Sequence, residues 1–230
     1  MARKFVFLRI TQDYTDEMVA SLRAVAELNG YSFVEYNFEG LEALQGYLCG
    51  GDFEKGEIDV LLVGAHSNTE CFASTSAGGD LIRWAEFADH LCGCNGLSIN
   101  THIFLGCCAA GSKRVALTLM LRCPLICSVM GTACSLTGAQ ASLALHVYLY
   151  NRERADSDIE TAVSASIGVG FRVHSRSELD AELMQIELVD YLATLNLDVP
   201  LMSIPDQLRT WSAGVPEEGS EPAQAEGAES

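Results

Sequence analysis

The chain has 230 residues, 49% of them apolar, and 14 Lys and Arg against 31 Asp and Glu give it a formal charge of −17. That balance argues against a nucleic-acid partner, because neutralising phosphates needs clustered basic residues, and it opposes attraction to an anionic membrane. Length and apolar content suffice for one domain with a substantial core.

The apolar run after the basic residues at the N-terminus is too short for a secretory signal or a membrane span, so a cytoplasmic protein is expected. Lys4 to Ile10 reads as a strand. Asp16 to Asn29 then spaces Met18, Val19, Leu22, Val25 and Ala26 as a helix does, with Gly30 as its stop. Ser32 to Phe38 suits a second strand and Leu41 to Leu48 a short helix. Ile58 to Val63, apolar on both faces, is the third strand, as in a parallel sheet covered on both sides.

After a polar stretch, Leu81 to Leu91 reads as a helix and His102 to Gly106 as a fourth buried strand. Val115 to Leu121 (helix), Pro124 to Val129 (strand), Ala139 to Tyr150 (helix) and Asp158 to Ser166 (helix) follow. Phe171 to His174 suits a sixth strand, and Glu178 to Leu195 a helix carrying Leu179, Leu183, Ile186, Val189 and Leu192. Glu217 to Ser230 holds five glutamates and no basic residue, so residues 213–230 are expected to be a disordered acidic tail after a domain spanning 1–212.

Strands alternating with helices imply a doubly wound α/β unit: a three-layer α/β/α sandwich around a mostly parallel sheet. Such sheets bind ligands beyond the carboxyl ends of their strands. Two reactive residues stand there, His66 after Val60-Leu-Leu-Val-Gly-Ala and Cys108 after Ile103-Phe-Leu-Gly-Cys. If their strands are neighbours, the two side chains share one rim. A thiol beside an imidazole that takes its proton, or pairs with it as the imidazolium, is a usable nucleophile.

This succession, apolar strand, His, polar loop, amphipathic helix, apolar strand, Cys, resembles the caspase-like clan of cysteine peptidases. The segment Leu105-Gly-Cys-Cys-Ala-Ala-Gly111 is most similar to its separase-related CHAT branch, and the similarity extends over Phe5 to Ala165. The resemblance implies a caspase-like fold, with Cys108 as nucleophile, Gly111 as the turn residue and His66 as proton acceptor and later donor. It also implies the backbone N–H groups of Ser67 and Cys108 as oxyanion donors. Ser67 stands where the family often has Gly. Gly106 stands where several branches place an Asp or Gln that shapes the substrate pocket, and Asp80 is a candidate to meet a basic substrate side chain.

Cys107 alternates to the opposite side of its strand and is expected in the core, though it is the rival nucleophile if the register slips by one. His102 lies at the other rim and is expected to be structural, and His90, His146 and His174 have no visible partners. His90, Cys92, Cys94, Cys123 and Cys127 contain soft ligands without the paired spacing of a zinc site. Neither a metal nor a cofactor is expected. Gly78-Gly79-Asp80 and Gly168-Val-Gly170 read as turns. Nine cysteines, an odd count scattered through apolar segments, fit a reducing compartment.

The leading expectation is a cysteine endopeptidase acting on protein or peptide, under the control of a regulatory protein partner. Its rivals are a non-catalytic caspase-like or flavodoxin-like scaffold that binds a partner, and a hydrolase using the same dyad on small esters or amides.

Overall fold

Ile58–Gly64 is buried at all seven positions, which only a strand covered on both faces achieves. The computed structural model places it inside a six-stranded sheet and describes residues 3–50, 53–74, 81–152 and 158–194, the last eight by backbone alone. In chain order the elements are β1 (Lys4–Arg9), α1 (Asp16–Leu28), β2 (Ser32–Asn37), α2 (Leu41–Cys49), β3 (Ile58–Gly64), β4 (His66–Ser67), β5 (Cys71–Ala73) and β6 (Ile82–Arg83). There follow α3 (Trp84–Cys92), β7 (Leu97–Leu105), α4 (Lys113–Arg122), β8 (Ile126–Thr132), α5 (Gly138–Asn151), α6 (Ile159–Ile167), β9 (Phe171–Ser175) and α7 (Arg176–Thr194). The chain divides into the units Met1–Leu183, which holds every strand among the described residues, and Met184–Ser230. The expected boundary at 212/213 and the acidic tail lie outside the described residues.

The main sheet has the order β2-β1-β3-β7-β8-β9, with β9 alone antiparallel to its neighbour. Alternation sends Phe5, Phe7, Val60, Leu62, Phe104 and Met130 to one face, where they form a core with Leu22 and Ala26 of α1, Leu145 of α5 and Val163 of α6. Val6, Leu8, Leu61, Val63, Ile103 and Leu105 are equally buried and alternate to the other face. Helices α2, α3 and α4 pack side by side, and α4 also contacts β8. The arrangement is a mixed α/β fold with a mostly parallel sheet, compatible with a three-layer α/β/α sandwich.

Three features differ from the sequence reading. Strand β7 starts at Leu97 and not at His102, because Leu97 pairs with Ile58 before the chain makes a polar excursion and re-enters the ladder with His102 opposite Val60. The Thr101 hydroxyl, which donates to the carbonyls of Ile58 and Ser98, closes that excursion. A second, antiparallel sheet, β4-β5-β6, was not expected, since strands of two or three residues show no periodicity. It takes Ile82 and Arg83 out of the expected helix, so α3 begins at Trp84. Strand β8 runs on through Gly131, where the bare backbone lets Gly111 approach: a Cβ on Gly111 would lie 2.2 Å from the Gly131 carbonyl carbon.

Candidate active site at the carboxyl rim of the sheet

Strands β1, β3, β7 and β8 are mutually parallel, so the loops after them meet on one edge of the sheet. Val63 pairs with Leu105 at the ends of β3 and β7, which sets Ala65 to Ser67 beside Gly106 to Cys108. The Ser67 hydroxyl donates a short hydrogen bond to the Cys108 carbonyl and so ties the two loops together. The loop after β1 joins them: the N–H groups of Ile10 and Thr11 both donate to the Gly64 carbonyl at 2.9 and 3.1 Å.

His66 projects from β4 and keeps 27% of its side chain exposed. Its Nε2 lies 3.2 Å from the hydroxyl of buried Thr11 and 3.3 Å from Asp13 Oδ2. Thr11 Oγ1 in turn accepts the Asp13 N–H at 3.3 Å, which fixes both residues relative to the ring. An ionised carboxylate only accepts, so this contact favours the proton on Nε2 and leaves Nδ1 as the basic nitrogen. Neither Thr11 nor Asp13 was singled out in the sequence, although a Thr-Gln-Asp segment just past the first strand lies on the same rim.

Cys108 is half-buried. Its sulfur accepts the Leu136 N–H at 3.3 Å and sits 3.6 Å from the Leu136 carbonyl oxygen. The next residue, Ala109, has φ +55°, a left-handed conformation that costs a non-glycine residue about 1 kcal/mol. Its surroundings hold it there: the Ala109 N–H donates to the Cys134 carbonyl at 3.1 Å and the Gly111 N–H to Thr132 at 2.8 Å, while His174 Nε2 meets the Gly111 carbonyl at 3.1 Å. The result is a sharp turn that presents the Cys108 side chain at the strand end, followed by α4, whose Ser112 cap accepts the Val115 N–H.

Cys107 is 1% exposed, and burial pushes its thiol up to about 12, with the nearby Ser67 hydroxyl pulling the other way. It stays a protonated core residue. Gly106 packs against Tyr14, whose hydroxyl donates to the Gly106 carbonyl at 2.7 Å; a Cβ at Gly106 would lie 2.3 Å from the Tyr14 hydroxyl oxygen. Burial first, then the neighbouring Cys107, Cys108 and Asp13, raises the Tyr14 phenol well above its usual pKa, so it remains a neutral strut under the rim. Asp80 lies outside the described residues.

Thiol and imidazole therefore share a rim, but no hydrogen bond joins His66 to Cys108 among the described residues. The imidazole is engaged by Thr11 and Asp13, and the sulfur by Leu136.

A second polar cluster lies elsewhere on the sheet. His102 Nδ1 is 2.6 Å from Ser128 Oγ, and its Nε2 is 2.8 Å from an Arg152 nitrogen. Arginine only donates, so Nε2 accepts and Nδ1 carries the proton. Arg152 also reaches Asp59 at 3.2 Å, and the Tyr31 hydroxyl donates to Asp59 at 3.0 Å. Burial and the Arg152 charge lower the His102 pKa to about 4. His102 is thus a neutral, internally bonded side chain, as its structural reading requires. No group of three or more His, Cys, Asp or Glu suited to a metal occurs among the described residues, and no described helix is long and apolar enough to cross a membrane.

No protein-family model matches the chain, and no curated protein matches it. Fold and rim together define a class and no more: an α/β protein with a mostly parallel sheet that presents a thiol and an imidazole beyond the ends of adjacent strands.

Proposed function

We propose that this protein is a cysteine endopeptidase of caspase-like architecture that works through His66 and Cys108. The observation carrying the reading is the adjacency of β3 and β7, which brings the two loops bearing these residues together at one carboxyl rim, stitched by the Ser67–Cys108 hydrogen bond. The turn at Ala109 and the held imidazole of His66 support it further.

In this reading a peptide carbonyl enters between ring and sulfur. The Cys108 thiolate attacks the carbonyl carbon, and the N–H groups of Ser67 and Cys108 hold the developing oxyanion. His66, with Nε2 anchored by Thr11 and Asp13, protonates the leaving amine from Nδ1. Water then hydrolyses the thioester while His66 takes up its proton. The absence of a His66–Cys108 hydrogen bond is compatible with this reading, since catalytic hydrogen bonds are often long before substrate binds. A regulatory protein partner that delivers the substrate completes the proposal.

The missing His66–Cys108 hydrogen bond also favours a second reading, a non-catalytic scaffold that binds a protein partner. Incubation of the full chain with an unbiased mixture of unfolded peptides, read by mass spectrometry, separates the two. The peptidase produces new termini that vanish in Cys108→Ala while the variant keeps the wild-type melting temperature. The scaffold leaves the mixture uncut.

A further inference from the structure

Four of the nine cysteines gather where α2, α3 and α4 end. Cys49 is the last residue of α2 and Cys92 the last of α3; Cys94 follows two residues on, and Cys123 caps α4. The chain is shaped to press these ends together. A Cβ on Gly96 would lie 2.8 Å from the Leu48 carbonyl oxygen, backbone that cannot swing aside, so the turn after α3 admits the end of α2 at that point only as glycine. The Cys49 thiol donates to the Gly93 carbonyl at 3.1 Å and so reaches the peptide bond that joins Gly93 to Cys94, while the Cys94 thiol donates to the His90 carbonyl at 3.1 Å. On the other side of α3, Arg122 grips Asp89 through both carboxylate oxygens at 2.7 and 3.0 Å. That ion pair joins the last turn of α4, just before Cys123, to the last turn of α3, which ends on Cys92.

We propose that Cys49/Cys94 and Cys92/Cys123 are two redox-modification sites, closing to disulfides that staple α2 to α3 and α3 to α4 when the protein meets a hydroperoxide. Each pair combines an exposed sulfur with a buried one: Cys49 and Cys92 are exposed, Cys94 and Cys123 buried. Burial pushes the Cys123 thiol up to about 11 and raises that of Cys94 strongly, which keeps the inner sulfurs protonated and leaves the outer ones to react first.

The exposed thiolate attacks the O–O bond of the hydroperoxide, forming a sulfenic acid and releasing an alcohol, or water from hydrogen peroxide. The inner sulfur then attacks the sulfenyl sulfur, the S–O bond breaks, and water leaves with the inner thiol's proton. Per pair, two thiols and one hydroperoxide give one disulfide, one alcohol or water from the peroxide, and one further water. None of these sulfurs belongs to the His66/Cys108 rim, so the inference stands apart from the peptidase reading.

The test is hydrogen peroxide treatment of the full chain, followed by non-reducing peptide mapping and thermal melting with and without dithiothreitol. The proposal expects cross-linked peptides Cys49–Cys94 and Cys92–Cys123, and a melting temperature raised by about 5 to 10 °C that dithiothreitol reverses. Cys49→Ser, a change at an exposed position, removes the first link alone, and Cys92→Ser the second alone. Crossed pairs, or single-sulfur oxidation of these four residues without cross-links, would overturn it.

Discussion

Thr11 and Asp13 give His66 its direction, and they sit 55 and 53 positions away in the sequence. The strand-end rule that located His66 and Cys108 applies equally to the loop after β1, yet a Thr and an Asp in a polar loop carry no pattern of their own. What could be read was which side chains are reactive; what could not was which neighbours hold them, because those contacts form only when β1 settles beside β3. Misplacing a catalytic group by about 1 Å can cost 100-fold in rate. Asp13→Ala is therefore expected to slow peptide cleavage by about 10- to 100-fold while leaving the melting temperature within a few degrees, as activity and melting measured on one preparation will show. An unchanged rate would remove Asp13 from the positioning of the imidazole.

Among the elements, the strands that frame the rim were legible because they are long and apolar on both faces. Strands β4 to β6 were not, being too short to alternate, and the first half of β7 was hidden by Ser98 and Asn100 in an excursion whose Ile99 is 75% exposed. The turn after β7 was legible only in part. Gly111 stood out as the turn residue through the resemblance, whereas the structure gives the physical reason, its contact with Gly131. Gly111→Ala places a methyl group into backbone with no flexible side chain to yield. Overpacking of this kind typically costs 1–3 kcal/mol, so a loss of about 3 kcal/mol is expected in urea denaturation. The Cys108 turn shifts with it, so cleavage activity falls further than stability alone accounts for. Wild-type stability in this variant would show that the turn can move away from β8 freely.

At the scale of the whole molecule, the neutral His102 makes stability depend on pH. In the unfolded chain a histidine binds its proton below about 6.5, whereas the folded protein holds His102 unprotonated down to about 4. Between those values the unfolded state carries more protons, so stability is fully present above pH 6.5 and falls as the pH drops towards 4. Allowing for its partly open position, the loss is about 2 kcal/mol. His102→Gln keeps a polar side chain for Arg152 and cannot titrate. Urea midpoints at pH 7 and pH 4.5 should therefore differ less for this variant than for the wild type, and an equal difference in both would assign the acid sensitivity to other groups.

The account turns on whether His66 activates Cys108, and the most direct measurement is the rate of alkylation at each of the nine cysteines. Iodoacetamide labelling of the full chain, followed by peptide mass spectrometry in wild type and His66→Ala, reports all nine at once. The account predicts that Cys108 reacts at least about 10-fold faster than the exposed Cys49, Cys92 and Cys134, and that His66→Ala removes this advantage while the fold is kept. Labelling of Cys108 no faster than those three, or unaffected by the loss of the imidazole, would contradict it.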